Sequence, residues 1–300
     1  MASYFDEIAK NRYKSLLLFF FLALFFVGIV FLFSLIFGGG LLGLIFSIII
    51  VAIYSIIVLS TGDKLVLKVS KAKPADKVSQ TSLYNIVEGL SAAAQIPMPS
   101  LYVIDDPNPN AFATGKSKKK ASIAVTTGLL STMNREELEG VLAHETSHIA
   151  NNDIQYMMIA VVFAGAIGIL AAFARNMLFF GGIRINERGQ AGIIMIAIFI
   201  VLAIIAPLVA LLVKLAISRR REYMADANGA RLTRNPAGLA SALMKIKKYE
   251  ENPKSMPLKT ATEATAPLYI SNPFKKGSFS NLFSTHPPIE ERIKRLQAMY

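Results

Sequence analysis

The sequence predicts a mainly α, polytopic membrane protein: four candidate transmembrane helices in two hairpins, joined to a water-facing α+β part with a small sheet. Three observations predict it. Hydrophobic residues make up 53% of the 300, and they are clumped rather than spread as a soluble chain spreads them. No residue from Ser15 to Gly62 is charged, and further uncharged runs occupy Ile154–Ala174 and Ala191–Val213. Between and after these runs, apolar residues recur among charged ones at helical or strand spacing.

Taking the chain in order, residues 1–14 carry Lys10, Arg12 and Lys14. Ser15–Phe37 and Leu41–Ser60 are each long enough to cross a hydrocarbon core of about 30 Å at about 1.5 Å per residue, with Gly38-Gly39-Gly40 as the turn. A cleaved signal peptide has an apolar region of only about 7–15 residues, too short for this run. Lys64, Lys68, Lys71, Lys73 and Lys77 follow the second span, while the turn has no charge. The positive-inside rule then places both flanks, and the water-facing part with them, in the cytoplasm.

Within 61–153, Leu83, Ile86, Val87, Leu90 and Ala94 predict a helix over Thr81–Gln95, stopped at Pro97. Leu101–Ile104 and Ala121–Val125 read as strands, and Lys116, Lys118, Lys119 and Lys120 as the solvated tip of a hairpin. Asn134 followed by Glu137 is a capping-box signature, opening a helix with Leu138, Val141, Leu142 and Ile149 on its apolar side. The second apolar hairpin fills 154–217. Its loop holds Arg175, Arg184 and Arg188, which fit an outside loop poorly, but each run reaches the length of about 20 residues that spanning needs. Arg219-Arg220-Arg221 returns the chain to the cytoplasm for 218–300. There Asn235-Pro236 starts a helix running to about Tyr249, 251–288 is a loop rich in Pro, Ser, Thr and Asn, and Ile289–Met299 is a short charged helix.

The chain has no cysteine, so disulfides and thiolate metal ligands are excluded. The net charge of +12 gathers beside apolar segments rather than in a basic stripe interleaved with aromatics, which argues for a lipid bilayer and against nucleic acid as partner.

Chemistry concentrates in His144-Glu145-Thr146-Ser147-His148, which holds two of the three histidines. Residues four apart share a helix face, so both imidazoles can reach one metal ion with Glu145 beside it to take a proton from water. Two histidines leave a tetrahedral zinc short of a protein ligand, and Glu222 is the best-placed carboxylate on a separate helix. Asp226 lies four residues on, suited to accept the ring N–H of a ligating histidine.

HETSHIANND, then an apolar hairpin, then SRRREYMADANGA, then STHPPIEERI: in this order the motifs resemble the HtpX family of membrane metallopeptidases, relatives of the CAAX prenyl endopeptidase within the gluzincin class. The resemblance covers nearly the whole chain and implies a zincin-type α+β metallopeptidase domain. It implies that His144, His148 and Glu222 bind one zinc ion, that Glu145 is the general base, and that Asp226 supports His144. It further implies that Asn110, Ala111, Phe112 and Ala113 form an edge strand on which an extended polypeptide substrate lies, with Asn110 holding its backbone. His286 is implied to hydrogen-bond the substrate carbonyl or the developing oxyanion. The expected function is cytoplasmic-side cleavage of misfolded or damaged membrane proteins. The alternatives are processing of lipidated C-terminal peptides, for which four spans are too few to build a chamber, and a scaffold with a structural zinc, in which Glu145 would have no duty.

Overall fold

A computed structural model of the chain describes residues 4–36, 39–180, 219–262, 264–274 and 287–299. The fourth apolar run, the arginine-bearing loop before it beyond Phe180, and His286 lie outside the described residues. What is described is mostly helical, with one small mixed sheet.

Helices α1 (Tyr4–Ile36) and α2 (Gly40–Val69) form the first hairpin. Gly40 sits at φ +40°, a left-handed conformation that glycine adopts without a Cβ penalty. Both helices overrun the uncharged stretch. Charge ends a hydrocarbon span but not a helix, and the last turns of α2 bury Val66 and Leu67 inside the protein. Gly43, Ser47, Val51, Ser55, Val58 and Gly62 are buried along one seam of α2, three or four apart, and such small residues let neighbouring helices approach closely. The opposite side exposes Leu41, Leu42, Phe46 and Ile56. By length and composition α2 is long and apolar enough to cross a membrane. The stretches Phe19–Leu32 and Asp153–Ala166 are apolar but shorter.

Four strands follow: β1 (Lys73–Pro74), β2 (Ser100–Ile104), β3 (Ala111–Ser117) and β4 (Lys120–Thr126), in the spatial order β1-β2-β4-β3. β2 and β4, the two strands expected from periodicity, pair in parallel, and β3 pairs antiparallel with β4. β3 was not legible by alternation because Ala111, Phe112, Ala113 and Thr114 are all buried, so both of its faces are covered. The lysine-rich tip joins β3 to β4, and the Lys116 ammonium donates to the Ser60 carbonyl at 2.9 Å, where the uncharged part of α2 ends.

The sheet separates two cores. On one face lie α3 (Thr81–Ala93), α5 (Arg135–Ala150), α7 (Arg219–Thr233), α8 (Pro236–Glu251) and α9 (Ile289–Gln297), packed with Ala111, Ala113, Ile123 and Val125. α4 (Thr127–Thr132) is a short helix between β4 and α5. On the other face, Phe112 and Ala124 meet α1, α2 and α6 (Asp153–Phe180). Phe163 of α6 packs edge-on against Phe26 of α1 and Tyr54 of α2, at 5.4 and 5.6 Å between ring centroids. The third apolar run, expected to span from Ile154, therefore spends its first turns covering the sheet. Ile154, Met158 and Phe163 are fully buried, and large side chains become exposed only further on, at Ile169.

Candidate metal centre

Helix α5 is fixed at its start. The Asn134 side chain accepts from the Glu137 backbone N–H at 2.9 Å while Glu137 accepts from the Asn134 N–H at 2.8 Å, a complete capping box. Lys245 and Ser241 of α8 also donate to Glu137, at 2.6 and 2.7 Å. Burial pushes this carboxyl up, but Lys245 and Ser241 outweigh it and hold the group below the usual carboxylate range. Along α5 the neighbours come very close. A Cβ on Gly140 would lie 2.6 Å from the backbone N of Leu239 in α8, and one on Gly229 of α7 would lie 3.1 Å from the backbone N of His144. These two glycines let α8 and α7 rest on the helix that carries the histidines.

The spacing of His144 and His148 turns both imidazoles to the same point. Their Nε2 atoms are 3.2 Å apart, and the Glu222 carboxylate lies 3.7 Å from His144 Nε2 and 3.4 Å from His148 Nε2. Bonds of about 2.0–2.2 Å to a tetrahedral zinc would set ligand atoms about 3.3–3.6 Å apart, so the three fit such an ion. His144, His148 and Glu222 are all buried and could hold a metal ion.

The far ring nitrogens are held as well. His144 Nδ1 donates to Asp226 at 2.9 Å, and His148 Nδ1 donates to Asp153 at 3.1 Å. Each bond fixes a ring and leaves its Nε2 lone pair aimed at the metal position. Burial pushes the His144 imidazole down to about 4, which keeps it neutral. Burial acts in the same direction on His148, but Asp153 and Glu222 outweigh it and hold this imidazole well above its usual range. Arg292 of α9 donates to both Asp226 oxygens, at 2.9 and 2.7 Å, and to the Ile270 carbonyl at 2.8 Å. Burial pushes Asp226 up, and Arg292 with His144 overcomes this to hold it at about 2.

Glu145 is buried between the histidines and the sheet. The Ala113 backbone N–H of β3 favours its ionised form, but burial outweighs this and pushes its carboxyl up to about 7. A carboxylate with such a pKa suits proton transfer near neutral pH. Asn110 and Ala111–Ala113 run beside this group on the edge of the sheet. The Asn110 amide is engaged within the chain: its Nδ2 donates to the Ser271 carbonyl at 3.2 Å and its Oδ1 accepts from the Ala111 N–H at 3.1 Å.

A family model described as Peptidase family M48 matches residues 77–300. The chain belongs to peptidase family M48. Relatives of this M48 chain include a protein named Protease HtpX homolog from Caldanaerobacter subterraneus subsp. tengcongensis, 48% identical over 296 residues, spanning 98% of this chain and 96% of that protein. A protein of the same name from Streptococcus thermophilus is 45% identical over 304 residues, spanning 98% and 99%. Among solved structures, the crystal structure of S. mikatae Ste24p shares the fold, with a TM-score of 0.51 at 21% identity over 96% of this chain and 67% of that one. The M48 chain is thus a metalloendopeptidase, a class that depends on a metal ion, and His144, His148 and Glu222 are three buried groups that could hold one.

Sequence reasoning missed two residues that this M48 centre uses. Asp153 reads as part of a polar junction between α5 and α6, and only a search for a carboxylate in reach of His148 singles it out. Arg292 sits among Glu290, Glu291, Lys294 and Arg295 on a helix that looks solvated, yet it is 1% exposed. Its signal was position: Ile289, Ile293 and Leu296 mark the buried face of that helix, and Arg292 shares it.

Proposed function

We propose that this chain is a membrane-bound zinc endopeptidase with four spans, its centre facing the cytoplasm, that cleaves misfolded or damaged membrane proteins. The observation that carries the reading is the convergence of His144, His148 and Glu222 beside a buried carboxylate, Glu145, that contacts an edge strand. Zinc held by the three ligands would supply Lewis acidity, polarising a carbonyl and making water more acidic. Glu145 takes a proton from the attacking water and passes it to the amine as the C–N bond breaks. Asp226 and Asp153 hold the imidazoles in one tautomer throughout. The substrate backbone lies along β3 near Asn110–Ala113, which reads main chain rather than side-chain sequence. His286 donates a hydrogen bond to the developing oxyanion, an effect worth about 2.7–4 kcal/mol for one such donor in other enzymes.

A membrane setting is supported by the exposed apolar face of α2 and by Lys116, which meets that helix where its uncharged part ends. α6 begins five residues after His148, keeping the centre close to the apolar helices. The protein purified in detergent with zinc is expected to cleave unfolded casein, and Glu145→Gln to lose about 10²–10⁴-fold of the rate. Equal cleavage by both would reject the proposal.

A further inference from the structure

Among the described residues strand β3 is the last strand of its sheet, so one side of it carries peptide groups that β4 does not use. The Asn110 carbonyl accepts from the Thr126 N–H of β4. Because bonding alternates along an antiparallel strand, the peptide groups of Ala111 and Ala113 face the free edge. The Ala113 N–H is near enough to Glu145 to favour its ionised form. The Ala111 carbonyl accepts from the Ile270 N–H at 2.9 Å.

Ile270 belongs to a bend whose backbone meets that edge through this one bond. Its carbonyl accepts from Arg292 at 2.8 Å, and the next residue, Ser271, is clasped by the Asn110 side chain. Tyr269 packs edge-on against Phe112 on one face of the sheet, with ring centroids 5.0 Å apart, and Ile270 packs in the core of the other face with Ala111. Adjacent side chains of this bend thus enter opposite faces, as those of a paired strand do. The segment thus has three properties of a bound peptide: a main-chain hydrogen bond to the edge, a carbonyl held by a buried cation, and side chains pocketed alternately on both faces.

We propose that residues 269–271 are a built-in occupant of the substrate edge, displaced when a polypeptide binds there. The proposal rests on the reading of β3 as the substrate strand. An incoming strand would sit about 4.8 Å from β3, the spacing of paired strands, which is the space the Ile270 backbone fills. Exchange costs little in hydrogen bonding, since a substrate N–H and carbonyl can replace those of Ile270 at Ala111 and Arg292. What favours the resident segment is burial of Tyr269 and Ile270, 0% and 1% exposed. The edge is therefore closed at rest and opens to extended segments that bring apolar side chains of their own.

The chain has no cysteine, which allows a direct test in the full-length, zinc-loaded protein. The pair Phe112→Cys and Tyr269→Cys would join the segment to β3 by a disulfide, with casein cleavage compared in the oxidised and reduced forms of that same variant. The expected result is loss of cleavage on oxidation and recovery with reductant; equal rates in the two forms overturn the proposal. If the reduced variant is inactive, hydrogen exchange of the Ile270 amide in Glu145→Gln decides. Exchange must accelerate when excess unfolded casein is added, and unchanged or slower exchange overturns the proposal. Failure of wild type to cleave casein would instead reject the peptidase reading itself.

Discussion

At the scale of single residues, the centre depends on a chain of holds running from Arg292 to Asp226 to His144, with Asp153 serving His148 separately. Asp226→Asn keeps the shape of the side chain but weakens its grip on the ring N–H. It is expected to lower zinc affinity about 10- to 100-fold, measured by competition with a chelator. An unchanged affinity would mean that His144 is oriented by packing alone. That His144 and His148 meet at one point was legible in the sequence, because an i, i+4 pair on a helix is a local geometric fact. Arg292 was not, because its charge suggested solvent, and only its tertiary neighbours show a guanidinium bound to a buried carboxylate.

At the scale of elements, α5 is placed by its cap and by close backbone approach. The capping box was legible from Asn134 and Glu137. The grip of Lys245 and Ser241 on the same carboxylate was not, since it joins residues more than 100 positions apart. Glu137 titrates below its ordinary value of 4.5, so the folded state binds its proton less tightly than the unfolded state does. Its stabilisation is therefore present above the unfolded value and is lost as pH falls through the lower folded one. Glu137→Gln should cost about 1–2 kcal/mol at pH 7, allowing for solvent screening of the partly exposed Lys245, and progressively less in acid. Unfolding curves of the two proteins between pH 7 and acid check this; a constant gap would contradict it. Gly140→Ala should push α8 away from α5, because the new methyl meets backbone at Leu239. A destabilisation of about 1–3 kcal/mol is expected, read from denaturant midpoints.

For the whole molecule, the sheet lies between a core of catalytic helices and a core of apolar ones. The clumping of hydrophobic residues made the first hairpin legible, since α1 and α2 coincide with the uncharged stretch and extend it. What composition did not disclose is how the third apolar run divides its length. An uncharged helix looks the same in lipid and in a protein core, and only the presence of β3 and Phe163's aromatic partners shows that its first turns are inside. Helix α5 consequently passes through a tight junction into a helix that also supports the sheet, so among the described residues the centre, the first hairpin and the start of α6 form one packed unit.

The central claim, that His144, His148 and Glu222 hold a metal ion which Glu145 needs for peptide cleavage, is tested most directly by measuring zinc content and casein cleavage together in three proteins. The predicted result is about one zinc per chain and full cleavage for wild type, the same zinc but no cleavage for Glu145→Gln, and neither for Glu222→Ala. Cleavage by Glu222→Ala without bound zinc, or by Glu145→Gln at the wild-type rate, would contradict it.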